Sequence, residues 1–344
     1  MTVGTAVVMN AADFLIDPLA LAVEEADHWR PLGLVDLAAC RVDGQPLAAG
    51  HAGCRGEFFA LPPFPLIGIG DPSHPLAPAL DAIVEPPVSV AALIRQITRA
   101  PHAAAVAVQL LRSLDGLPLD RALQLESMCY GMLQASSEHG QWLADRATAR
   151  NAVPPGEIHL DRRGSILQIV IDRPGAHNAI DRRMRDQLFD AFTIAALDGE
   201  LTSVSLRAVG PTFSVGGDLD EFGTTRDPAE AHLIRSRTLP ALALAQRADI
   251  LDVHVQGACV GAGLEIAAFA SRPGAGGFTA ADNAWFQLPE LGMGLIPGAG
   301  GCVSVPRRIG RQRAALMILS GRRINATTAL RWGLIDAIGD PSDS

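Results

Sequence analysis

Residues 250–270 read ILDVHVQGACVGAGLEIAAFA. Its first third alternates apolar and polar residues at Leu251, Val253 and Val255, the period of a half-buried strand. Gly261-Ala262-Gly263 follows as a turn of small residues. LEIAAFA then continues as an apolar helix with Glu265 in its first turn. The same unit recurs on both sides. Upstream, IHLDRRGSILQIVIDRP (158–174) reads as a hairpin with Arg163-Gly164 near its turn. IDRRMRDQLFDAFTIAAL (180–197) reads as an amphipathic helix, and Asp181 stands near its start, where a carboxylate suits the helix dipole. SVSLRAVG (203–210) is a strand, SVGGDLDEFG (214–223) a glycine-rich turn, and DPAEAHLIRSRTLPALALAQ (227–246) a helix interrupted at Pro240. Downstream, FTAADNAWFQLPELGMGLIPGAGG leads into two helical stretches, RQRAALMILSG and NATTALRWGLIDAI. Alternating strands and helices predict an α/β fold with largely parallel strands.

The chain has 344 residues, a length that suggests about two domains. At 48% hydrophobic and 19% charged it can bury a large core and is not a disordered chain. No apolar run approaches the roughly 18 residues of a membrane span, and the N-terminus lacks the basic region of a signal peptide. A cytoplasmic location is therefore expected. The net charge of −9 argues against nonspecific binding to nucleic acid. All 28 basic residues are arginines, which excludes both a P-loop lysine and a Schiff-base lysine. The five cysteines are scattered and read as reduced thiols, and the nine histidines show no metal-ligand spacing.

Three regions are expected. Residues 1–87 are mixed and punctuated by Pro and Gly, with one buried-strand candidate at Leu66–Ile69. Residues 88–150 read as helical: Val90, Leu93, Ile94 and Ile97 recur at i, i+3, i+4, i+7. Pro154-Pro155 then breaks the chain, and residues 156–338 form the α/β core.

Two turns and two carboxylates carry the chemistry. Ser214-Val215-Gly216-Gly217-Asp218 follows a strand, and Gly261-Ala262-Gly263 opens a helix. One backbone N–H from each turn could converge on a single oxygen, and the helix start favours developing negative charge. Glu265 and Glu290 lie among apolar residues, where a carboxyl is pushed toward neutrality and can work as acid or base. The plain alternatives are ordinary connections for the turns, a helix-start carboxylate for Glu265 and a solvated loop for Glu290. Tyr130, the single tyrosine, reads as a core residue, and His254 as a strand residue. Gly298-Ala-Gly-Gly301 reads as a tight turn, with contact to a phosphate as the alternative.

Residues 158–338 resemble the crotonase (enoyl-CoA hydratase/isomerase) superfamily. The segments IDRPGAHNAI, FSVGGDLDEF, VQGACVGAGLEIAA, WFQLPELGMGLIPGAGG and SGRRINATTALRWGLIDAI occur in the family's order and near its spacings. The resemblance implies a ββα spiral core. It also implies a coenzyme A thioester as substrate, with no cofactor beyond the CoA that the substrate carries. The enolate donors would be the N–H groups of Gly217 and Ala262, and the two hydratase glutamates would be Glu265 and Glu290. Substrate contacts are expected from Arg173, His177, Ala179, Ser214, Gly216, Asp218 and Gly261. Ala262 stands where the family usually has glycine, and Ser271 where it often has aspartate. His177 replaces a basic residue near the CoA phosphates, a charge that Arg173 could supply. Segment 271–285 looks longer than usual and could reshape the acyl pocket. Hydration of a 2-enoyl-CoA is the expected reaction. Double-bond isomerisation, C–C bond hydrolysis or lysis, and cofactor-free oxygenation are the enzymatic alternatives. An inactive CoA-ester-binding scaffold is the alternative from another class.

Family members usually continue past the GLID motif with helices that finish the acyl pocket and build a trimer. Here five residues follow Gly339, and the stretch from residue 81 to 148 resembles those helices. Leu80-Asp81-Ala82-Ile83 echoes Leu334-Ile335-Asp336-Ala337-Ile338. Circular permutation, duplication with a shrunken first copy, and an unrelated helical domain are the three accounts. The resemblance implies that the helices pack on the core and that the protein is a homotrimer or hexamer.

Overall fold

In the computed structural model, residues 8–10, 31–38, 41–42, 45–46, 61–74, 76–146, 153–271 and 277–339 are described. The decisive stretch forms two strands and a helix: β10 (Leu251–Val255), β11 (Ala258–Val260) and α8 (Ala262–Ala267). The elements before it, in chain order, are four strands in the first half, β1 (Val8–Asn10), β2 (Gly33–Asp36), β5 (Leu66–Ile69) and β6 (Ala82–Ile83), and a short ribbon, β3 (Arg41–Val42) with β4 (Gln45–Pro46). Four helices follow, α1 (Val90–Arg99), α2 (Pro101–Ser113), α3 (Leu119–Gln134) and α4 (Ser137–Asp145). The hairpin is β7 (Glu157–Arg163) and β8 (Ile166–Asp172), followed by α5 (Arg182–Leu197), β9 (Ser203–Ala208), α6 (Pro228–Thr238) and α7 (Pro240–Leu244). After α8 come β12 (Phe278–Ala280), β13 (Trp285–Gln287), α9 (Gly301–Ser320), β14 (Ile324–Asn325), α10 (Ala326–Trp332) and β15 (Ala337–Ile338).

The larger sheet has the order β15-β12-β10-β9-β8-β7, parallel throughout except for the β7–β8 hairpin. A second sheet, β11-β13-β14, takes the strand that follows β10 and the strand that follows β12. Successive β-β-helix turns therefore feed both sheets, which is the crotonase-type spiral, and helices cover the parallel strands. Asp181 caps α5 by accepting from Met184 N at 2.9 Å, as its position predicts. His254 is a strand residue, bonded through Nδ1 to Thr279 Oγ1 at 2.9 Å.

The described part of residues 1–87 holds more order than the sequence reading suggests. β5 is where it was expected, but it belongs to a four-stranded sheet β1-β2-β5-β6, parallel throughout. β6 is only two residues long, too short for periodicity to reveal. This sheet repeats the arrangement of β9-β10-β12-β15. The Asp81 carboxylate accepts from Leu66 N at 2.8 Å, and Asp81 N donates to Leu66 O at 2.9 Å. The Asp336 carboxylate accepts from Phe278 N at 2.8 Å, and Asp336 N donates to Phe278 O at 2.8 Å. One step further on, Val84 N donates to Gly68 O and Gly339 N to Ala280 O. Each aspartate meets an arginine, Arg112 or Arg308, that also reaches backbone carbonyls. A second corner with the same register therefore stands in the first half of the chain.

Asp81 is buried, with its Arg112 partner nearly so. Asp81→Ala would leave that guanidinium without its counter-charge and the Leu66 N–H without its acceptor. Loss of one partner of a buried pair costs about 3–5 kcal/mol. A fall of that size in unfolding free energy is expected, read from urea denaturation.

The helical segment packs on the core. α1 and α2 lie along α9, while α3 lies against α6 and α9. Leu93, Ile97, Val108 and Leu123 share one continuous apolar cluster with Val204, Leu264 and Leu316. Polar ties accompany this packing: Arg313 pairs with Glu85 at 2.7 Å, and His139 Nδ1 bonds the Met293 carbonyl at 2.9 Å. No helix among the described residues is long and apolar enough to cross a membrane.

Candidate active site

The two glycine turns meet at one pocket of about 410 Å³. Gly216 (φ +92°) and Gly261 (φ +49°) hold left-handed backbone that side chains resist, and each precedes a residue that lines the pocket, Gly217 or Ala262. Neither of the latter two amide N–H groups enters a hydrogen bond among the described residues. The turns touch: a Cβ on Gly261 would stand 3.6 Å from Gly216 Cα and 2.7 Å from Glu290 Oε1.

Both glutamates line the same pocket and both are buried, Glu265 on α8 and Glu290 in a 3₁₀ turn after Pro289. Their surroundings differ. Glu265 Oε2 accepts from Ala299 N at 2.5 Å and Gly301 N at 2.9 Å. Burial pushes this carboxyl up, to about 7, against the pull of those amides. Glu290 Oε2 is buried with no hydrogen-bond partner among the described residues. Burial, and then the neighbouring Glu265, hold Glu290 well above the usual carboxylate range. One carboxyl is therefore suited to bear charge and the other to bear a proton.

The remaining sequence candidates divide. Asp218 lines the pocket and accepts from Arg173 Nη1 at 2.7 Å. Arg173 itself is buried, and its guanidinium also donates to the Pro154 and Ala179 carbonyls. It serves as an internal brace. Ser214 and Ala179 are likewise buried braces and not pocket-lining groups: Ser214 Oγ donates to Asn178 O and accepts from Gly216 N, while Ala179 offers its carbonyl to Arg173. His177 sits exposed in a left-handed turn outside the pocket. Ser271 bonds the Ala248 carbonyl through its hydroxyl, and residues 272–276 of the segment that follows it lie outside the described residues.

Several pocket residues escaped the sequence reading. Tyr130 of α3 is buried as expected, yet it also lines the pocket, with the Arg235 guanidinium 4.1 Å above its ring. Arg182 lines the pocket where Arg173 does not. Glu126 of α3 is fully buried and accepts from Gly300 N at 2.8 Å and Cys302 N at 2.9 Å. Only the 81–148 resemblance hinted that this region would reach the site. Gly298–Gly301 is a tight turn, and the anions it meets are two carboxylates of the protein itself.

A family model described as enoyl-CoA hydratase/isomerase matches residues 161–343, just over half of the chain. The 2,3-dehydroadipyl-CoA hydratase of Escherichia coli (strain K12) is 31% identical over 187 residues, 54% of this chain and 70% of that protein. The carnitinyl-CoA dehydratase of Proteus mirabilis (strain HI4320) is 30% identical over 188 residues, 53% of this chain and 67% of that protein. Among solved structures, an enoyl-CoA hydratase from Thermoplasma volcanium is 32% identical, with a TM-score of 0.46, over 54% of this chain and 73% of that one.

Proposed function

This chain belongs to the enoyl-CoA hydratase/isomerase family, and we propose that it adds water reversibly across the double bond of a 2-enoyl-CoA thioester. The observation that carries this reading is the pairing of two amides that hold no bond among the described residues, Gly217 and Ala262, with two buried carboxyls of different character on one pocket. The thioester oxygen accepts from both amides, which lowers the energy of the enolate more than that of the neutral ester. Glu265, held by Ala299 and Gly301, takes a proton from the attacking water as its oxygen bonds the β-carbon. Glu290 delivers its proton to the α-carbon as the enolate collapses, and a proton returned from Glu265 through the new hydroxyl closes the cycle. Every acid, base and oxyanion donor in this scheme belongs to the chain, and CoA enters with the substrate. Arg182 replaces Arg173 as the candidate for the CoA phosphates. The related names of Escherichia coli and Proteus proteins, a hydratase and a dehydratase, run in the same direction.

A panel of enoyl-CoA thioesters, with products read by mass, tests the reading. Gain of water supports it. Unchanged mass with a shifted double bond makes the protein an isomerase, and gain of oxygen an oxygenase. Binding without turnover of any member makes it a scaffold.

Gly261→Ala probes the geometry. The new methyl would meet Glu290 Oε1 and force side-chain structure onto left-handed backbone. A displacement of about 1 Å at a reacting group costs up to about 100-fold in rate. The expected result is a kcat lower by one to two orders of magnitude in a protein that still folds, checked by steady-state kinetics beside circular dichroism.

A further inference from the structure

Arg235 of α6 lines the pocket beside Tyr130, Glu265 and Gly298. Its guanidinium stacks 4.1 Å above the Tyr130 ring. Nε and Nη2 are buried and make no hydrogen bond, and no carboxylate among the described residues stands within ion-pair distance. Two buried carboxyls, Glu126 and Glu265, feel its positive charge. Both bond elsewhere: Glu265 accepts from the amides of Ala299 and Gly301, and Glu126 from those of Gly300 and Cys302. Gly298 makes room for the stack, since a Cβ there would overlap the Tyr130 ring and stand 2.8 Å from Arg235 Nη2. Gln134, one turn beyond Tyr130 on α3, also lines the pocket, and its Oε1 is buried without a partner among the described residues. A plain alkyl chain laid against these groups would leave a desolvated cation and an amide unpaired, which is costly.

We propose that Arg235 recognises the acyl group: the substrate is a 2-enoyl-CoA whose acyl chain carries a second, free carboxylate, which accepts from the Arg235 guanidinium while the thioester oxygen faces Gly217 and Ala262. This rests on the reading of those two amides as the thioester donors. A carboxylate fits better than a neutral hydroxyl, because a guanidinium offers a full positive charge and a planar fork of N–H groups. Tyr130 holds the plane of that fork by stacking, and Gln134 has an amide that can turn to donate to the same ligand. The CoA phosphates fall to a different arginine. Arg182 borders both this pocket and an outer groove with Arg183 and Asp186, a groove that Arg235 does not border. Gly298 adjoins Ala299, whose amide holds Glu265, so the acyl carboxylate is recognised close to the carbon that takes the water. The acyl chain is therefore short.

The test uses the full chain and short 2-enoyl-CoA thioesters in matched pairs, one member ending in a carboxylate and the other in a methyl group. In the wild type, kcat/KM is expected to favour the carboxylated member by about tenfold or more, the scale of one hydrogen bond to a charged group. Arg235→Met is expected to abolish that preference. Arg235→Lys keeps the charge without the fork and is expected to retain part of it. If Arg235 serves only as a distant counter-charge to Glu265, Arg235→Met slows both members equally, and that unchanged ratio overturns the inference. A wild type that favours no carboxylated member overturns it without any variant, whether or not Arg235→Met folds. Calorimetric binding of the saturated analogues, an acyl-CoA with a terminal carboxylate against one of equal length with a methyl, separates this site from the proposed reaction. If the wild type hydrates no enoyl-CoA, the reaction assignment fails and binding alone decides. Tighter binding of the carboxylated analogue, lost in Arg235→Met, supports the site, and equal affinities in the wild type refute it.

Discussion

Glu290→Gln and Glu265→Gln are each expected to lower turnover by about two orders of magnitude or more while the fold persists, the usual scale for removing a positioned acid or base. The structure explains why folding survives. Glu290 Oε2 has no hydrogen-bond partner among the described residues to lose. Glu265 uses Oε2 alone to accept from Ala299 and Gly301, and a glutamine oxygen can do the same. Near-full activity of both variants on the true substrate would remove the two-glutamate mechanism. The same variants carry a sign in stability. Glu265 titrates from an ordinary 4.5 to about 7 on folding, so between those pH values the folded state holds a proton that the unfolded state has released. Its contribution is present below about 4.5 and is lost as pH rises through about 7. The wild type is therefore expected to lose more thermal stability than Glu265→Gln between pH 5 and 8, read as the difference in melting temperature across that range.

The second large effect concerns the helical segment. Residues 156–344 expressed alone are expected to be insoluble and inactive. Removal of α1–α4 strips apolar cover from α9 and α6, takes Tyr130 out of the pocket wall, and leaves the amides of Gly300 and Cys302 without Glu126. Leu93, Ile97, Val108, Leu110, Leu111 and Leu123 are all buried at 3% exposure or less. At about 1.5–3 kcal/mol for each buried aliphatic side chain, their burial contributes on the order of 10 kcal/mol before chain entropy. Solubility, size-exclusion behaviour and turnover of the fragment check this, and a soluble, active fragment would show that the segment is dispensable.

Much of the site was legible because its chemistry is local. Ser214–Asp218 and Gly261–Gly263 announce themselves by glycine at turns that follow strands, and both glutamates sit within apolar words of the sequence. The misjudged residues were those whose meaning depends on a distant partner. Arg173 reads as a free cation until Asp218, Pro154 and Ala179 are seen around it. Tyr130 reads as core, which it is, but no periodicity says that the far side of its ring faces a pocket.

The sequence by itself determined the alternating strands and helices of residues 156–338, the two glycine turns and the apolar settings of the two glutamates, because backbone conformation and burial period are written in consecutive residues, while the spiral was implied by the family resemblance. Only the tertiary structure decided three things. It gathered four short strands into a parallel sheet that repeats the Asp336 corner at Asp81. It made Arg182, and not Arg173, the arginine on the pocket wall. It brought Glu126 across from α3 to the turn that holds Glu265. Each depends on hydrogen bonds between residues tens to hundreds of positions apart. Local propensity carries no record of such pairings; they form only when buried polar groups must find partners inside a packed core.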